Sequence, residues 1–323
     1  MSAPPLPAAP AERVSVLDAL NDAVSHTQRF LVPPRLDRWL ALGLVAFLDQ
    51  CGRQGGVSYP GGAWGDSGNG KGPDLSGATA WLGEHVGLVV MLAGLALAVV
   101  VALTALAVWL STRGILMYAD DVATERSDVA RPWREHRELA ASLFAWRFGL
   151  ALAVLLGVLL VLLAGAAIVF GVARSGRPAT AVALLALVPL VLLLLGLSVV
   201  AALASVALRD FVAPLQLLYR TPCGPAARTF LGLLSRQPGA FVVYVLLKVL
   251  FVLLAATVAV GACCVTCGCV LLPVAGQAIL QPVFFFERAW SLHVLRRFGH
   301  DLIAGLRVTS FDTAPGTGDP GQA

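Results

Sequence analysis

The stretch "VGLVVMLAGLALAVVVALTALAVWLST", Val86 to Thr112, carries no charged side chain. A helix needs roughly 20 apolar residues to cross the hydrocarbon core of a bilayer, so this stretch predicts one full crossing. Three more uncharged or nearly uncharged runs follow: Phe148 to Ala173, Pro178 to Leu208, and Gln237 to Phe286, the last interrupted only by Lys248. Across 323 residues the mean hydropathy is +0.81 and only 13% of side chains are charged, against about 25% in an average soluble domain. Lipid, not water, is the solvent such a chain expects.

The last run is long enough for two helices, with a turn at "GACCVTCGC", Gly261 to Cys269. Pro189, Pro273 and Pro282 fall inside predicted spans and are expected to kink them, because neighbouring helices re-satisfy the freed carbonyls. A sixth, shorter segment, "WLALGLVAFL" from Trp39 to Leu48, spans only if Arg35 and Arg38 snorkel and the bilayer thins locally. The expected fold is an all-α polytopic transmembrane helix bundle of about six spans, near 36–50, 86–111, 148–173, 180–207, 241–261 and 268–286. Residues 15–307 form its single domain, between a disordered N-terminus at 1–14 and a disordered tail at 308–323.

Charge asymmetry sets the expected orientation. With six crossings, one side holds 18 Lys and Arg residues, while the other holds Arg53, Lys71, Arg174 and Arg177. The positive-inside rule then places both termini in the cytoplasm. Arginine outnumbers lysine 21 to 2, and with the Ala, Gly, Val and Leu bias this suggests a GC-rich bacterial genome and hence the bacterial inner membrane. The start "MSAPPLPAAPAERV" lacks the basic and apolar regions of a signal peptide.

Amphipathic interfacial helices are expected on the cytoplasmic side. Ser15 with Asp18 resembles a capping box, followed by Leu17, Leu20, Val24 and Leu31 at helical spacing. In "ARPWREHRELAASLFAWR" a first-turn Pro132 precedes Trp133, His136, Ala140, Leu143 and Phe144 on one face. Thr221 and Pro222 open a third such helix, carrying Phe230, Leu233 and Leu234. The order of span, arginine exit (Arg113, Arg209), surface helix and span occurs twice. "VLLGVLLVLLAG" from Val154 matches "VLLKVLFVLLAA" from Val245 at nine of twelve positions. A parallel repeat is one reading; apolar low complexity is the other.

Residues with chemistry are few. "GDSGNGKG", 65–72, resembles a phosphate loop, but Gly72 and Pro73 stand where a Mg²⁺-binding hydroxyl is needed and no strand precedes it. It reads as a flexible connector within the extracytoplasmic loop 51–84, so no nucleotide is expected. Cys263, Cys264, Cys267 and Cys269 are read first as small packing residues, with a disulfide or a soft metal as alternatives. Lys248, the one ionisable group well inside a span, either snorkels or marks a functional site. Gln277 and Gln281 either line a polar passage or hydrogen-bond neighbouring helices. His293 and His300, seven apart, are expected on one helical face. No Ser/His/Asp set, HExxH or paired intramembrane carboxylates occur, so no catalytic residue, cofactor or metal is expected and the chain reads as non-enzymatic. The expected partners are membrane lipids, drawn to the arginine-rich inner face at about 1 kcal/mol per basic residue, and a further membrane protein; nucleic acid is not among them.

The ordered segments "STRGILMYADDV", "PWREHRELAASLFAWR", "RDFVAPL", "QPGAFVVYVLLK" and "CCVTCGCVLLPV…QPVFFFERAWSLHVLRRFG" resemble a family of uncharacterised bacterial multi-pass membrane proteins, over about Trp39 to Gly299. The resemblance implies that Arg113, Trp133, Asp210 and Pro214 belong to a shared architecture and that the double cysteine is a family feature. It departs from the family pattern at "VAPL" and at "LLPV", and it implies no activity. Two functions remain: an accessory or scaffold component, or a transporter or channel for a small or amphipathic solute.

Overall fold

The computed structural model describes residues 15–51, 85–174 and 179–312, and these form helices joined by short turns, with no strand among the described residues. The expected N-terminal tail 1–14, the glycine-rich loop 52–84 and residues 313–323 lie outside the described residues.

Among the described residues, four helices are long and apolar enough to cross a membrane. They are α3 (Val86–Thr124), α5 (Arg137–Arg174), α6 (Ala179–Ala207) and α9 (Pro238–Val265). Their most apolar stretches are bare: at most 17% of any of them is buried inside the protein. The burial instead begins where the apolar run ends. α3 stays largely exposed up to Ala107, and is then almost wholly buried from Ser111 to Ala123. At 39 residues and about 1.5 Å of rise per residue, it is about twice as long as the ~30 Å hydrocarbon core requires. Its inner half is the central strut of a compact core, and it ends only at Glu125, whose φ of 55° closes the helix in the left-handed conformation.

Around that strut pack α1 (Val16–Leu31), α2 (Leu36–Gln50), α7 (Ala213–Tyr219), α8 (Cys223–Arg236), α11 (Gln281–Arg297) and α12 (Leu302–Asp312). A short α4 (Ala130–Glu135) links α3 to α5. Aromatic rings fill the middle: Phe211 meets Phe230, Phe241 and Tyr244 at centroid distances of 5.3, 5.2 and 4.9 Å.

Several expectations change here. The segment 36–50 is a helix of 15 residues, and 268–286 is not one helix. Gly268 takes φ 85°, a 3₁₀ turn covers Cys269–Leu271, α10 spans only Ala275–Ile279, and α11 starts at Gln281 with Pro282 in its first turn. Pro273 and Pro282 therefore interrupt the chain where kinks were expected, whereas Pro189 sits inside an unbroken α6. The interrupted segment meets α2, since a methyl group on Gly43 of α2 would touch Ala278.

α1 is capped as expected, with Ser15 Oγ accepting the Asp18 N–H at 3.2 Å. Its buried face is Val16, Ala19, Ala23, His26, Thr27, Phe30 and Leu31; of the four expected positions Leu31 is buried and Leu20 half-buried, while Leu17 and Val24 are exposed. The reason is close packing: the small Ala19 and Ala23 face the core, and Phe30 stacks on Phe285 of α11 at 5.2 Å. α12 runs to Asp312, five residues into the stretch expected to be a tail.

Candidate functional site

At the base of the apolar helices lies a charge network. The chain leaves α6 through a π-turn, Leu208–Val212, all five residues of which are buried. The extra residue in this wide turn changes the angular spacing of side chains, and both Arg209 and its neighbour Asp210 point into the core. Arg209 forks onto Asp49 at the end of α2, donating Nη2 at 2.5 Å and Nε at 3.1 Å to the carboxylate. Its Nη1 reaches Glu287 at 3.1 Å and Asp210 at 3.3 Å.

Lys248 of α9 completes the set, 2.5 Å from Asp210 and 2.9 Å from Glu287. Tyr244, one turn earlier, donates to Asp210 at 2.9 Å. Arg288 gives its Nη1 to the Arg209 carbonyl at 2.7 Å and its Nη2 to the Ile115 carbonyl at 2.6 Å, 3.8 Å from Asp210. Three carboxylates thus face three cations, each no more than 5% exposed, and five segments (α2, α3, the π-turn, α9 and α11) are tied together.

Lys248 does not snorkel, contrary to the reading preferred from sequence: it lies about 15 Å along α9 at 1.5 Å per residue, where three acidic or phenolic oxygens reach it before the interface does. Nor is Arg209 an exit arginine. Gln281 donates to the Tyr118 hydroxyl at 2.9 Å, acting as interhelical glue, and Gln277 is buried on α10. Asp49, Glu287 and Arg288 were missed in the sequence because each flanks an apolar run, the ordinary place for an interfacial charge. The only signal was their abundance there: "FLDQ" and "FFFERAW" put charge directly against apolar residues.

Histidines form a second cluster. His26 Nδ1 meets His293 Nε2 at 3.2 Å, and His26 Nε2 lies 3.3 Å from Glu125, which also accepts from Arg307 at 2.5 Å. Burial, reinforced by the neighbouring His26, pushes the His293 pKa down to about 4. Burial also lowers His26, against the pull of Glu125. His300 is not on the His293 face: it follows the end of α11 and pairs with the Tyr219 hydroxyl at 2.6 Å.

A third feature sits where α3 enters the core. The Arg113 guanidinium lies 5.1 Å from the Trp109 ring and 4.6 Å from the Trp133 ring, and donates to the Trp133 carbonyl at 3.0 Å. Beside it, Arg113, Trp133, His136 and Ala140 line a shallow recess too tight to enclose a water molecule. Cys263, Cys264, Cys267 and Cys269 are all free thiols, the last three exposed. Among the described residues no group of three His, Cys, Asp or Glu side chains is placed to hold a metal ion.

Four apolar helices standing on a charge-locked helical core fit the class of membrane proteins. More narrowly, the chain belongs to a family of unknown function, DUF7544, whose model matches residues 14–312. Neither the curated proteins nor the solved structures give a match.

Proposed function

We infer that this is a non-enzymatic accessory or scaffold component of a bacterial inner membrane, which holds spans out to lipid and to a partner membrane protein. One observation carries the reading. Among the described residues the apolar helices do not close around a path, for α9 rises with Leu246, Val249, Leu250, Leu253 and Leu254 all exposed, and none of the four spans found there is more than 17% buried in its apolar stretch. A transporter instead gathers polar groups around an enclosed midplane site. Asp49, Arg209, Asp210, Lys248 and Glu287, at the base of these helices, are paired with one another.

Both ends are assigned to the cytoplasm. The arginine asymmetry argues for that side, and His26 of α1 and Arg307 of α12 both reach Glu125, which supports a common side for the two ends. On this reading α2 and the interrupted segment 268–286, in contact at Gly43 and Ala278, are the stretches from which the other two of about six passes are expected. Purification in mild detergent followed by crosslinking tests the role. A specific copurifying membrane protein or retained lipid is expected; a bare monomer without either overturns it.

Transport is the second reading, favoured by the ionisable residues at the base of the spans, a frequent mark of ion pathways. Replacing Lys248 and Asp210 together by Met and Asn separates the two: a scaffold keeps its interactions, whereas a transporter loses flux at normal expression.

A further inference from the structure

We propose that Trp109, Arg113, Trp133 and His136 form a binding site for the phosphate of an anionic phospholipid. The site rests on the membrane reading above but not on the scaffold role. It sits at the foot of the apolar stretch of α3, the level at which tryptophans and arginines meet lipid headgroups. Trp109 and Trp146 are 40% and 52% exposed there.

Four observations converge on an anion. First, the hydrogen bond that Arg113 makes goes to a carbonyl, and among the described residues no carboxylate pairs with it. A cation without a carboxylate at this level invites a counter-ion. Second, the Trp109 and Trp133 rings, 5.9 Å apart and at 88°, flank the guanidinium and fix its plane. Its Nη1 is spent on the Trp133 carbonyl, while the buried Nε has no hydrogen-bond partner. Third, His136 lines the recess, is 2% exposed, and has no hydrogen-bond partner on either ring nitrogen. A buried polar group without a partner costs about 1–3 kcal/mol, a cost that an anion at the mouth of the recess lowers through the N–H dipole without touching the ring.

Fourth, two acids beside His136 are already engaged. Asp120, 3.7 Å from His136 Nε2, is held by Arg131. Glu135 is bound by Arg131 at 3.0 Å and Arg220 at 2.7 Å. The recess is narrow, so the phosphate sits at its mouth, over the edge of the guanidinium, with the acyl chains running up the exposed face of α3. Guanidinium is suited to this because its planar fork presents parallel donors to phosphate oxygens.

The test uses the full chain in nanodiscs of phosphatidylcholine containing brominated phosphatidylglycerol, or brominated phosphatidylcholine at the same mole fraction. Bromine quenches nearby tryptophan. The anionic lipid is expected to quench more strongly, and Arg113→Gln to cut that preference about fivefold, the loss expected for one basic residue at the surface. Arg137→Gln, at an exposed position in the first turn of α5, should give a partial loss; Arg236→Gln, exposed on α8, none. Equal quenching by the two lipids, or a preference retained in both Arg113→Gln and Arg137→Gln, overturns the site. Displacement of the anionic lipid by millimolar inorganic phosphate overturns the lipid as its source. Absence of quenching by either lipid removes the membrane reading itself, a distinct outcome.

Discussion

Six charged side chains buried together need a reason to stay charged. Moving a carboxylate or an ammonium out of water costs several kcal/mol even after relaxation. The network offsets this by giving Arg209 three carboxylates and Lys248 two carboxylates and a phenol. Asp210 is the hinge of the arrangement, since Arg209, Lys248 and Tyr244 all reach it. Asp210→Asn leaves two cations short of counter-charge and is expected to lower stability by about 3–5 kcal/mol. Adding Lys248→Met removes the surplus cation, so the double variant should be more stable than Asp210→Asn alone. Thermal unfolding in detergent, arranged as a double-mutant cycle, measures the coupling; additive losses would mean that the pair is not a unit. From the sequence Lys248 stood out because it broke a long uncharged run. Its partners did not, because pairing between residues 49, 210 and 287 is a property of the folded chain that no local spacing encodes.

Helix contacts carry the next level of specificity. Gly114 of α3 is where the end of α2 crosses, and a methyl group there would overlap the backbone of Leu48 and Asp49. Gly114→Ala should therefore cost about 1–3 kcal/mol, the usual price of overpacking, and loosen the Asp49–Arg209 pair. Gly94→Ala on the same helix meets nothing within 4 Å and should be neutral or slightly stabilising, through helix propensity. Comparing the two melting temperatures isolates the contact. The α1–α11 contact has a pH signature instead. His293, at about 4 in the folded protein, lies below the ~6.5 of an unfolded histidine, so the unfolded chain binds the proton more readily. The contribution of His293 is whole above about pH 6.5 and falls away as pH drops toward about 4; the lowered His26 adds in the same direction. Melting is expected to fall between pH 7 and 5, with His293→Phe flattening the slope; a stability that rises on acidification in that window would contradict it. The existence of α1 was legible from its cap. Its buried face was legible only in part, at Leu20 and Leu31, because the Leu periodicity competed with an Ala and His face that packs more closely.

At the scale of the whole molecule, the spans were legible because one variable, the thickness of hydrocarbon, sets both their length and their lack of charge. What the sequence concealed is that the same helices continue as core: α3 keeps its helical geometry past Thr112 into buried "GILMYADDVA", and nothing local separates a helix in lipid from one in protein. The same ambiguity concealed the breaks in 268–286, whose composition matches a span while its backbone turns at Gly268 and Val274. Orientation is open to direct measurement. In a cysteine-free background, Asp22→Cys and Asp301→Cys should resist a membrane-impermeant maleimide in intact cells and react after permeabilisation, because α1 and α12 share the Glu125 side of the core. His85→Cys, exposed at the opposite end of α3, should react in intact cells. Labelling of Asp22→Cys without permeabilisation would reverse the arginine-rich face and, with it, the leaflet in which the Arg113 site meets its lipid.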